Sequence, residues 1–218
     1  MSTTTTSNLS ESMFRIHRAI SRALNVAVQV NKSKGPAIEL RPGFQLYLQA
    51  LAAVLHAHHV SEDEVLFPFW RGVEPQAPID TLIHHHRSII PYLKDIHGWV
   101  ALGLEGWKPD SISQLGTTID GLNQLWHNHI TLEESVFSVG QVVKLLSAED
   151  GEELNTQLAA QSQQHAQPAE LVIPFVLYNL EGEDREAMKV AFPPVVIEQM
   201  IPITWKPAWQ PMQPFLLD

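Results

Sequence analysis

Two histidine–glutamate pairs at helical spacing constrain this chain more than any other feature. His58 is followed four residues later by Glu62, and His129 by Glu133. Each pair lies on a stripe of apolar residues recurring every three or four positions, the periodicity of one helix face. Leu48, Leu51, Leu55, His58, Glu62, Val65 and Phe69 form the first stripe. Leu115, Ile119, Leu122, Leu125, His129, Glu133 and Val136 form the other. Residues at i and i+4 stand one turn apart on the same face, so both carboxylates are aimed at the core. A buried, unpaired carboxylate costs several kcal/mol, roughly, unless something neutralises it. These stripes carry no lysine or arginine, so cations must come from elsewhere.

Two further helical patterns each carry one histidine on the apolar face. Met13, His17, Ile20 and Leu24 share a face between about 10 and 30, and Ile79, Ile83, His86, Ile90, Leu93 and Val100 share another. One inward histidine on each of four helices, with two inward glutamates, is a donor set for metal. Imidazole and carboxylate without thiolate suits iron, zinc or manganese, and a carboxylate from each of two facing helices can bridge two ions. The remaining histidines are placed differently. His56, His84 and His127 are expected to face solvent. His59 and His85 sit one step off the stripe, His97 could line the cavity, and His165 could cap the site from outside. Asp63, Glu64 and Glu134 read as solvated faces.

The breaks between patterns fall at 31–42, 72–78 and 103–109, which are rich in Gly and Pro. Pro68 also reads as part of the second helix's end, Pro91 as a possible kink, and Ser111 as the N-cap of the fourth helix. The expected organisation is a disordered tail over 1–9, a bundle over 10–147, and an extension over 148–218 that packs on the bundle. In the extension, 152–165 and 169–180 read as helices. Residues 191–218 hold six of the chain's 15 prolines, together with Trp205, Trp209 and Phe215, so that stretch cannot be one regular helix.

Composition excludes several functions. The chain has 24 acidic and 14 basic residues and no cysteine. With no basic stripe, nucleic acid and anionic membrane surfaces are not expected partners. Without cysteine there are no disulfides, iron–sulfur clusters or thiol nucleophiles, which fits a reducing compartment. The opening MSTTTTSNLSES has no apolar signal core, so the expected location is cytoplasmic.

The stretches MFRIHRAISRALN, HHVSEDEVLFP, HHHRSIIPYLKDI and LWHNHITLEESVF resemble the hemerythrin-like (HHE) family, and within it the fungal hemerythrin-like proteins, over roughly residues 10–140. The order His, His-x-x-x-Glu, His, His-x-x-x-Glu carries the resemblance. Ferritin-like diiron proteins use Glu-x-x-His instead. The resemblance implies an all-α, up-down four-helix bundle with a non-haem diiron centre that meets O2. Its ligands would be His17, His58, Glu62, His86, His129 and Glu133, with both glutamates bridging. The cofactor would be two iron ions joined by an oxo or hydroxo bridge, with manganese or zinc less favoured. O2-carrying hemerythrins have His-x-x-x-His on the third helix, where this chain has Ile90, and His-x-x-x-x-Asp on the last. The lost imidazole suggests an open coordination position and hence an O2-dependent oxidase or oxygenase acting on a small organic substrate. The alternatives are a protein that binds, stores or senses iron or O2 without turnover, and a metal-free interaction module. Substrate, electron donor and oligomeric state stay open.

Overall fold

The computed structural model describes residues 3–217, with side chains from Leu9 onward. Four long helices form an up-down bundle: α1 (Thr3–Lys32), α2 (Arg41–Ser61), α4 (Ile79–Ala101) and α5 (Pro109–Val136). No strand occurs among the described residues. Around the bundle α1 packs on α5, α5 on α4, α4 on α2, and α2 on α1. The helix α1 begins at Thr3 and buries Leu9 and Ser10, so it takes in most of the segment expected to be a disordered tail. Met1 and Ser2 lie outside the described residues. Helix α5 starts at Pro109, two residues before the expected cap at Ser111; proline is well suited to a first turn, where its missing N–H is not needed. Helix α4 runs through Pro91 without ending.

The second helix does not stop at Pro68. After Ser61 it passes into a π turn, Glu62–Leu66, then resumes as α3 (Phe67–Val73), with Pro68 at the tolerated start of the new segment. A π turn holds one more residue than an α turn, and it shifts the helix's phase. Beyond it the buried residues are Leu66, Phe67 and Trp70, while Val65 and Phe69 of the expected stripe are only partly buried.

Two apolar cores result. The larger contains Ile20, Leu24, Leu51, Leu55, Ile89 and Trp126. The smaller contains Leu9, Leu66, Phe67, Trp70, Leu82 and Phe137, and is closed by Val142 and Leu146 at α6 (Val139–Leu145) and by Leu154. Each long helix therefore crosses from one core to the other, and on each the crossing is marked by a buried histidine.

The extension covers the α1–α2 side. Helix α7 (Ala148–His165), capped by the Ser147 hydroxyl accepting from the Asp150 N–H at 3.1 Å, packs on both α1 and α2. Helix α8 (Ala169–Tyr178) packs on α2, and α9 (Gly182–Lys189) on α8 and α1. The proline-rich end is a second π segment (Val196–Thr204), a short α10 (Lys206–Trp209) and a 3-10 stretch (Gln210–Phe215). It inserts Met212 and Phe215 against Phe44 and Tyr47. Gly43 permits this: a Cβ there would run into the Pro211 carbonyl.

Candidate metal centre

Where the bundle passes between its two cores, seven polar side chains are withdrawn from water. His17, His58, His59, Glu62, His86, His129 and Glu133 are all between 0% and 8% exposed. Six of them are the residues expected from the sequence, one or two from each long helix. The seventh, His59, was placed off the stripe, yet its ring stacks on His86 at a centroid distance of 3.9 Å.

The donor atoms converge in overlapping groups. One ligand atom from each of His17, His58, Glu62 and Glu133 can lie within 4.8 Å of the others, and the same holds for Glu62, His86 and His129. His58, His59 and His129 make a third such group. Glu62 is common to the first two. Glu133 also reaches both, since its Oε2 is 3.1 Å from His17 Nε2 and 3.2 Å from His129 Nε2. Two carboxylates shared between two clusters of imidazoles is the arrangement that can hold a pair of cations.

Unpaired atoms are the clearest sign of what belongs there. The Nε2 atoms of His17, His58 and His59, Nδ1 of His129, and both oxygens of Glu62 and of Glu133 are buried without a well-formed hydrogen bond, although Glu133 lies beside His17 and His129 and Glu62 beside His58 at 3.1–3.2 Å. A buried atom left unsatisfied costs about 1–3 kcal/mol, so the cluster favours a ligand that pairs with these atoms. Dications would satisfy all these lone pairs together. The residues present therefore fit a metal pair, with hard oxygens and borderline imidazoles and no sulfur.

Two imidazoles are oriented from outside. The Nδ1–H of His17 donates to Glu134 Oε1, and that of His86 to Asp63 Oδ1, both at 2.9 Å. A carboxylate can only accept here, so each bond holds a proton on Nδ1 and turns Nε2 inward as the atom that a cation would take. Asp63 and Glu134 thus anchor the site rather than forming merely solvated faces. Each follows a candidate ligand glutamate by one residue, at the edge of the same face. Glu64 is exposed and bonds to Gln161. The Trp126 indole lies against His17, His58, His59 and His129, and donates to Ser21 Oγ at 2.9 Å. Phe67 stacks on His86 from the other core.

The metal-free electrostatics are uneven. Burial, with Glu133 close by, pushes the Glu62 carboxyl well above the ordinary range. Burial acts on Glu133 in the same sense, but His129 and His17 outweigh it and hold that carboxyl well below. For His17, burial opposes the charge, yet Glu133 and Glu134 together raise it. Burial keeps His58 and His59 well below the usual imidazole value, and lowers His129 as well. Protons on Glu62 and His17 thus occupy places that suit metal.

Several outer histidines are elsewhere. His56, His84, His97 and His127 are exposed, which corrects the expectation that His97 lines the cavity. His165 is half-buried beside His56, with ring centroids 5.9 Å apart, and does not cap the cluster. His85 is half-buried with its ring 5.9 Å from His129. Ile90 is 45% exposed on the outer side of α4, and the buried neighbour one turn beyond His86 is Ile89. The position that carries a second histidine in an O2 carrier therefore points away from this cluster, and a ligand deficit cannot be read from Ile90. His59 places an imidazole in the same region instead.

An antiparallel bundle whose polar layer of His and Glu is sealed between two apolar cores defines a buried cation-binding helical protein. Residues 8–138 match the family described as the hemerythrin HHE cation binding domain. The chain belongs to that family, and the match includes all seven residues of the buried cluster. No curated relative and no solved structure matches the chain. No helix among the described residues is long and apolar enough to cross a membrane.

Proposed function

We propose that the chain is a non-haem diiron protein that reacts with O2 and uses it to oxidise a small organic molecule. His17 and His58 would hold one iron, His86 and His129 the other, and Glu62 and Glu133 would bridge them. With iron bound, the centre supplies the electrons that ground-state O2 needs. The protein's own part is to hold the imidazoles through Asp63 and Glu134, and to keep bulk water out with Trp126 and the two cores. The observation that carries the enzymatic reading is a cavity of about 700 Å3 bordered by His58 and Glu62 themselves. Space of that size beside the cluster suits a bound small organic molecule.

A second reading, iron or O2 binding without turnover, is supported by His59. An added imidazole at the second ion would fill the coordination position that turnover requires. The two readings separate in one experiment: anaerobic titration with Fe(II), then a pulse of O2, followed by optical absorption and an oxygen electrode. Two irons per chain and irreversible O2 consumption, accelerated by an organic reductant, are expected. A stable oxygenated species that discharges under argon would favour the binder. Less than one iron per chain would overturn both.

A further inference from the structure

The cavity beside His58 and Glu62 has a chemistry of its own. It lies between the bundle and the extension, with α1 and α2 on one side and α7, α8, α9 and the segment after α9 on the other. Its volume, about 700 Å3, falls in the range that encloses a small ligand. Met13, Ile16, Leu158, Ile173, Met188 and Phe192 give it a largely apolar wall. Among the described lining residues only Arg15 and Glu62 carry a formal charge, and Glu62 belongs to the metal cluster.

Arg15 is the cavity's cation. Its side chain is 22% exposed, and its buried Nε makes no hydrogen bond, pairing with Asp184 Oδ1 only at 3.6 Å. Asp184 is already committed to Arg18, whose Nε and Nη2 approach its two oxygens at 2.5 and 2.6 Å. A guanidinium presents a planar fork of donors that matches a carboxylate, and a buried N–H lacking an acceptor favours any ligand that brings one.

We propose that this cavity binds an apolar molecule ending in a carboxylate. Arg15 takes the carboxylate, and the apolar body lies along α7 and α8 with part of its length against His58 and Glu62. What then happens to the molecule rests on the diiron reading; its binding needs only the cavity and Arg15.

Isothermal titration calorimetry with decanoate, decan-1-ol and decylammonium tests this on metal-free and iron-loaded protein. Decanoate is expected to bind best to both forms. Arg15→Met should weaken decanoate by about tenfold or more, the loss expected for a hydrogen bond between charged groups, and leave decan-1-ol little changed. Ala159→Trp from α7 and Ile173→Trp from α8 should each fill the cavity and abolish binding of both, with circular dichroism reporting that the variants are folded. Absence of decanoate binding to the unmodified protein overturns the proposal. So does an unchanged affinity in Arg15→Met, or in both folded tryptophan variants. Iron content is measured on the same samples. Decanoate binding with less than one iron per chain sinks the diiron reading alone, and full iron loading without decanoate binding sinks this one alone.

Discussion

Loading the cluster with metal should expel protons, and the structure says which. In the metal-free protein, burial and the neighbouring Glu133 raise the Glu62 carboxyl well above its ordinary range and favour its protonated form. His17 is charged because its value lies above the ordinary 6.5. The shifts of Glu133, His58 and His59 run the other way and favour the unprotonated forms that a cation needs. Binding needs Glu62 as carboxylate and His17 as neutral imidazole, so each gives up the proton that its surroundings favour. Every proton released makes the apparent affinity rise about tenfold per pH unit, equivalent to about 1.4 kcal/mol. The slope acts while pH is below the raised values of both groups, and flattens as pH climbs through them. The assay is anaerobic Fe(II) calorimetry at pH 6 in buffers of different ionisation enthalpy, which counts protons directly, with Glu62→Gln as the control that should release about one fewer. Release of less than one proton, or an affinity indifferent to pH between 5.5 and 6.5, would refute this account of the cluster's charge.

Three further expectations concern single residues. Asp63→Ala and Glu134→Ala should each weaken iron retention by about 10–100-fold in a chelator challenge, while His127→Ala, on the exposed side of α5, should retain iron like the unmodified protein. Trp126→Ala should cost about 3–5 kcal/mol in urea unfolding, because the indole is fully buried and touches four of the clustered histidines; a loss below 1 kcal/mol, about the scale of a surface change, would contradict that packing. Gly43→Ala should push the Pro211 carbonyl outward, at about 1–3 kcal/mol, and render the chain beyond residue 205 cleavable by protease.

The bundle was legible because burying a charge is so unfavourable that a glutamate on an apolar stripe announces a partner. The histidines of four stripes and the glutamates of two are those the fold brings together. What escaped has physical causes. His59 lies about 100° round the helix from His58, and stripe counting discards that neighbour unless two faces of α2 are buried, as they are here between α4 and α7. Asp63 and Glu134 are partly exposed, and nothing in a sequence separates a carboxylate that braces a ligand from one that faces water. Ile90 and Leu125 were assigned to the inner faces, but α4 buries Ile89 and α5 buries Trp126 more completely. Helix α7 is largely polar in sequence. It covers both α1 and α2 while leaving most of its own surface to solvent, so few apolar residues are needed.

The π turn at Glu62–Leu66 ties the chemistry to the count of residues. Such a turn holds one residue more than an α turn. Removing a residue from the turn would restore regular geometry and rotate everything after it by about 100°. Phe67 would leave His86 and Trp70 would leave the smaller core, while His58 upstream stayed in place. The helix therefore works as a vernier: one half is indexed to the metal cluster, the other to the core that seals it, and the surplus residue sets the offset between them.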